Sequence, residues 1–171
     1  MNNISKLFIE HSRSFLTGEY QPKIERCLDE ISNEQAWSMP NEASNSIGNL
    51  ILHLCGNAKQ WIVSSIGNAE DTRIRQSEFD ARGGMTKDEL KEKLRATLSE
   101  VDKVLAGLTE SQLLERRVIQ GNDVTVLEAI FHVVEHFSMH TGQIIILTKM
   151  LAGKEMDFYS FPDGKSQANW K

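Results

Sequence analysis

TVLEAIFHVVEHFSMHTGQIIILTKML, Thr125 to Leu151, decides the fold, because it is one long helical pattern that carries three of the five histidines in the chain. Thr125 and Glu128 form a Thr-x-x-Glu capping box, which satisfies backbone donors at the cap and in the first turn and so sets where the helix starts. At about 100° per residue, His132, His136 and His140 share a stripe with Ala129, Val133, Gln143 and Leu147, while Leu127, Val134, Phe137 and Ile145 point elsewhere. Apolar residues therefore cover most of the circumference. Such a helix belongs at the centre of a bundle or between two subunits, and imidazoles on its stripe need partners once they are buried.

The rest of the chain fits around that helix. With 171 residues, 40% of them hydrophobic and 25% charged, it has the size and composition of one soluble globular domain, and residues 1–171 are read as such, with a short aromatic tail from about residue 152. Only three prolines occur and helical periods outweigh alternating ones, so the class reads as all-α. A net charge of −5 argues against a surface built to neutralise phosphates, so no nucleic-acid partner is expected. The longest unbroken apolar run in the helix, Ile144 to Leu147, is too short to cross a bilayer, so no membrane partner is expected either. Cys27 and Cys55 fall in helical patterns and no signal sequence opens the chain, which suggests free buried thiols and a cytoplasmic location.

Taken in order, Ile4, Phe8, His11 and Phe15 share one face and Ile24, Leu28 and Ile31 another, with Gly18 and Pro22 interrupting between them. The spacing predicts a long first helix that bends or breaks there. Trp37 to Asn45 has the composition of a loop, and Ser46 caps a second helix from Ile47 to roughly Ser64. On this helix Asn49, His53, Gly56, Asn57 and Gln60 form a polar stripe with no charge, between apolar flanks. Solvated helix faces carry Lys and Glu, so the stripe reads as the wall of a pocket. Gly67 to Gly84 is polar; Arg73 and Arg75 in it offer planar donors for a carboxylate or phosphate, although an ion-pair network with Asp71 and Glu78 is the plainer reading. Thr86 and Glu89 cap a third, amphipathic helix with Leu90, Leu94, Val101, Leu105 and Leu108 on its seam. After Gly153 the aromatics Phe158, Tyr159, Phe161 and Trp170 are expected to cover an end of the bundle or a partner subunit.

His136 and His140, one turn apart, can hold one metal ion from a single helix face. His53, in the middle of the uncharged stripe, supplies a third nitrogen if the two helices pack together. Three neutral imidazoles leave coordination positions for water or substrate, which suits a catalytic rather than a structural ion. Asn57 and Gln143 read as groups that orient the ligands or line the pocket, as do Asn49 and Gln60. His132 lies about 40° off the azimuth of His136 and is read as a neighbour. Other metal and nucleophile patterns are absent. Position 137 is Phe, so there is no His-Glu-x-x-His; no histidine has Glu three residues before it, and there is no G-x-S-x-G or glycine-rich phosphate loop.

One histidine on the second helix and an H-x-x-x-H-x-x-Q on the fourth resemble the DinB/YfiT-like four-helix metal-binding superfamily. PNEASNSIGNLILHLCGNAKQWI, RIRQSEF and VEHFSMHTGQIIILTKML are similar to its DUF1572 branch. The resemblance covers most of residues 1–155. It implies an up-down-down-up bundle, a homodimer, and a divalent metal, often nickel or zinc, on His53, His136 and His140. Some relatives are bacillithiol S-transferases or mycothiol-dependent isomerases. The resulting expectation is a metal-dependent enzyme, a thiol S-transferase acting on small electrophiles with a low-molecular-weight thiol as co-substrate. The alternatives are a metal-dependent hydrolase or a non-catalytic dimeric metal-binding or stress protein. In the first case Arg73 or Arg75 would hold a carboxylate of the thiol cofactor.

Overall fold

The computed structural model describes residues 3–170. α1 (Asn3–Phe15) runs into α2 (Gln21–Asp29) through a π-helical turn, Leu16–Tyr20. The chain does not break at Gly18 and Pro22. Pro22 falls in the first turn of α2, and the wider π turn before it accommodates the residue, with the Gln21 N–H bonding back to the Leu16 carbonyl. A short α3 (Asn33–Ala36) leads to α4 (Ile47–Ala58), extended by a second π-helical turn over Lys59–Ser64. α5 (Arg75–Asp80), α6 (Lys87–Ala106) and α7 (Val126–Ala152) complete the helices. Ser46, Thr86 and Thr125 each cap their helix with a capping box, and Gly153 ends α7 in the left-handed conformation at φ 65°.

α4 packs on α6 and α7, and α2 packs on the same two helices from the other side, with α1 also touching both. The result is a helical bundle around one cluster of buried apolar side chains, Phe137, Leu28, Ile51, Leu54, Leu94 and Leu98 among them. α4 is the wrapped helix: ten of its twelve residues are buried. α7, the expected centre, buries its Ala129, Val133, Phe137 and Ile144 edge but exposes Leu127, Phe131, Met139, Ile146 and Met150 along another.

Two corrections to an all-α reading come from short hairpins. β1 (Arg116–Ile119) pairs antiparallel with β2 (Asn122–Thr125), Arg116 opposite Thr125 and Ile119 opposite Asn122. Their two-residue turn places Gln120 and Gly121 at φ 53° and 80°, the positive values that a tight hairpin demands. β-branched Val118, Ile119, Val124 and Thr125 favour the strands on either side. β3 (Tyr159–Ser160) and β4 (Gln167–Ala168) make a smaller pair in the tail. Trp170 donates its indole N–H to the Gly18 carbonyl at 2.9 Å and meets Phe158 edge-on, so the tail lies over the π turn of the first helix. Cys27 and Cys55 are buried free thiols, as expected, and burial pushes both up to about 11. Among the described residues no helix is long and apolar enough to cross a membrane.

Candidate metal centre

α4 and α7 lie side by side, and the contact brings His53 to His136 and His140. One ring nitrogen from each falls within 4.8 Å of the others. His53 Nε2 and His136 Nε2 are 2.9 Å apart, and the His136 and His140 rings meet edge-on with centroids 4.4 Å apart. His53 and His140 are 6% and 9% exposed. The ring of His132 turns away to Trp61, centroids 4.0 Å apart, and meets the Asn57 amide at 3.3 Å.

The outer nitrogens show which way each ring is turned. His140 Nδ1 donates to Gln143 Oε1 at 2.7 Å, which leaves the Nε2 lone pair for the cluster. His53 Nδ1 lies 2.9 Å from Glu78 Oε2, and an ionised carboxylate can only accept, so Nδ1 carries a proton, and the neutral ring in this form presents its Nε2 lone pair. The short contact between His53 Nε2 and His136 Nε2 is a hydrogen bond bridged by one proton.

Glu78 reaches His53 because segment 71–81 lies along the polar stripe of α4. Asn49 Nδ2 donates to the backbone carbonyls of Glu78 and Ala81 at 2.8 and 2.9 Å. Gly56 leaves room for the carboxylate: a Cβ there would stand 1.9 Å from Glu78 Oε1. Arg73 grips Glu78 with two nitrogens, Nε to Oε1 at 2.7 Å and Nη2 to Oε2 at 2.9 Å, and its third, Nη1, donates to Gln60 Oε1 at 2.9 Å. The stripe is thus mainly a seat for a short helix, and its Gly56 also lines a cavity. All three guanidinium nitrogens of Arg73 have protein partners, as the ion-pair reading expects. Arg75 is exposed, with its guanidinium over the Phe79 ring at 4.8 Å, and Phe79 in turn packs on His53. Glu78, placed by the sequence in a surface ion-pair network, is 7% exposed and touches a candidate ligand. The only sequence signal near it is an uncharged stripe with a glycine in its middle, which marks the α4 face as unusual without naming Glu78 as what covers it.

A cavity of about 300 Å³ lies on the outer side of the Arg73 and Glu78 pair, lined also by Gly56, Lys59, Val63 and Ile74. None of the three imidazoles lines it. Among the described residues, the histidine cluster is the group of side chains whose nitrogens could hold a metal ion together. Burial, and then the neighbouring rings of His140, His53 and His132 and the Arg73 cation, push His136 down to about 3. Burial likewise lowers His140, against the hydrogen bond to Gln143, and lowers His132. Burial alone would raise Glu78, but hydrogen bonds from Arg73 and His53 outweigh it and hold the carboxyl below its usual range. His136 and His140 are thereby favoured as neutral imidazole, the form that binds metal ions.

Residues 3–165 match the family model described as protein of unknown function DUF1572. The chain belongs to the DUF1572 family. No curated protein matches it. Solved structures show the fold of this DUF1572 protein elsewhere. A conserved protein from Enterococcus faecalis superposes with a TM-score of 0.69 at 20% identity, covering 85% of this chain and 97% of that one. A DinB-like protein from Bacillus subtilis gives 0.64 at 20% identity, with 89% and 96% covered. A single-site mutant of a mycothiol-dependent maleylpyruvate isomerase gives 0.59 at 12% identity, with 80% and 60% covered. At these identities the likeness is one of fold, and DinB-like is the fold's name.

Proposed function

We propose that this DUF1572 protein is a divalent-metal-dependent enzyme that transfers a low-molecular-weight thiol to a small electrophile, with His53, His136 and His140 as metal ligands. The observation that carries the reading is the convergence of three imidazole nitrogens within 4.8 Å, two of them turned inward by acceptors on their far side. The donor set fits such an ion: nitrogens about 2.0–2.1 Å from a common tetrahedral centre sit roughly 3.3 Å apart, within the spread of this cluster. Three neutral nitrogens suit nickel or zinc. Once bound, the ion lowers the pKa of a thiol and holds the thiolate.

The remaining work falls to the chain. Burial favours the unprotonated form of His136 and His140, and Glu78 and Gln143 fix the rings of His53 and His140. Asn57, 4% exposed and one turn after His53, has its Oδ1 buried without a protein partner. The thiol part of the reading is supported by a neighbour of the same fold that works with mycothiol. The exposed apolar edge of α7, with Leu127, Phe131, Met139, Ile146 and Met150, supports a homodimer. The helix packing is compatible with the up-down-down-up course that goes with this reading.

Elemental analysis of untagged protein, followed by thiol-conjugation assays beside His140→Ala, tests the proposal. One equivalent of nickel or zinc, with turnover lost in the variant, is expected. Equal rates in the two proteins overturn the enzyme reading, and a hydrolysed product in place of a thioether replaces thiol activation with water activation.

A further inference from the structure

We propose that Glu78 is the positioning residue of the metal site: gripped by Arg73 and admitted by Gly56, its carboxylate holds His53 in the Nδ1–H form and aims Nε2 at His136 and His140. The inference rests on the metal reading above and goes past it to a residue that contacts no metal ion.

Several contacts converge on the Glu78 carboxylate and the His53 ring. The carboxylate oxygen lies 2.9 Å from His53 Nδ1. Arg73 clamps that carboxylate bidentately, so its position does not depend on the imidazole. Arg73 Nη2 also stands 3.2 Å from His53 Nδ1. Two donors cannot bond each other, so the contact follows from both N–H groups pointing at Glu78 Oε2. On the third side Gly56 removes the one Cβ that would displace the carboxylate. Asn49, one turn from His53 on the same helix, seats the α5 backbone that carries Glu78.

A buried ion pair is a poor device for stability alone, since well-packed apolar residues serve as well or better. A carboxylate that fixes a ligand histidine is worth about 10–100-fold in metal affinity. Without Glu78, the Nε2–H form of His53 becomes available, and it turns a proton toward the cluster where a lone pair is needed.

The test uses two variants. Arg73→Met with Glu78→Leu replaces the pair by apolar residues of similar size, so that the fold keeps its packing but His53 loses its acceptor. Gly56→Ala keeps the carboxylate and pushes it away. Zinc and nickel affinities are read by chelator competition, with His136→Ala as the control that removes a ligand. Both variants are expected to bind about 10–100-fold more weakly than wild type, while melting of the metal-free double variant stays close to wild type. Wild-type affinity in both, with binding abolished in His136→Ala, overturns the role of Glu78 and leaves the metal site standing. If wild type binds neither ion, the metal reading fails, and ¹⁵N chemical shifts of His53 in metal-free protein decide. Nδ1–H in wild type and Nε2–H in the double variant uphold the positioning role, and the same form in both overturns it.

Discussion

On α4 the candidate ligand His53 is 6% exposed and bonds a carboxylate that an arginine holds from behind. On α7, His140 leans on the neutral amide of Gln143, an exposed residue of its own helix one turn away, and His136 is only half-buried. The same side chain is thus held in two ways. Around α4, the partners come from segment 71–81, are buried and are charged. Around α7, the support is local and solvated. One half of the cluster is set before any ligand arrives, and the other half can adjust around it.

The largest effect that separates the two halves is expected from Arg73→Ala. It leaves the Glu78 carboxylate buried without its clamp, a change that costs roughly 3–5 kcal/mol. For a chain of this size that lowers the melting temperature by about 6–20 °C. Gln143→Ala removes an exposed hydrogen bond and should shift melting by no more than about 4 °C. Thermal denaturation of the two metal-free variants measures the difference. Equal shifts would show that the charged and neutral supports are equivalent.

Acid should separate the halves next, through two pH windows. His136 is held down at about 3 in the folded protein against an ordinary 6.5, so the unfolded chain binds a proton that the folded one refuses. Stability is therefore complete above about pH 6.5 and falls as pH drops toward 3. His132 and His140, also lowered, act in the same direction. Glu78 is lowered too, but as an acid: its contribution is complete above its unfolded value of 4.5 and is lost as pH falls through the lower folded one. Melting temperature measured from pH 7.5 to 4 should thus fall first on account of α7. His136→Gln should flatten the curve between pH 6.5 and 4.5, and the Arg73→Met, Glu78→Leu pair only below that. A curve flat down to pH 4.5 in wild type would mean that the α7 imidazoles take protons freely while folded.

The part of this arrangement that sequence shows is the part written in local patterns. Capping boxes at Ser46, Thr86 and Thr125 set helix starts, and three histidines at helical positions point to the cluster on their own. What stays hidden is long-range. Nothing local says that Glu78 crosses to His53, because the distance between them in sequence is bridged by a loop whose path depends on Asn49 and Gly56. The α4 stripe was legible as unusual, lacking charge, but its partner was not: a seated helix and an open pocket both want polar groups without charge. The β1–β2 hairpin was missed for a related reason. Gln120 and Gly121 form a tight turn, yet the four-residue strands beside them are too short for a clear alternation. The open edge of α7 went the other way, since apolar letters predict burial and say nothing of whether a second chain supplies it.

The smallest expected effect lies at the far end of the bonds that lead to His53. Gln120, in the hairpin turn, donates to Gln60 Oε1 at 2.7 Å, the oxygen that also accepts from Arg73 Nη1. It is three partners away from the imidazole, and it is exposed. Gln120→Gly loses that bond, worth about 0.5–1.5 kcal/mol at most, and relieves a left-handed backbone at φ 53° that costs a non-glycine residue about 1 kcal/mol. The two terms nearly cancel. Melting should move by less than about 4 °C, and zinc affinity should stay within a factor of about three, since Arg73 keeps both nitrogens on Glu78. Gly56→Ala adds one methyl group where Gln120→Gly removes a whole side chain, yet it should do far more to the metal site, because it acts directly on the carboxylate. A tenfold loss of affinity in Gln120→Gly would show that rigidity enters the site from the hairpin, and that the fixed half of the cluster extends well beyond Arg73.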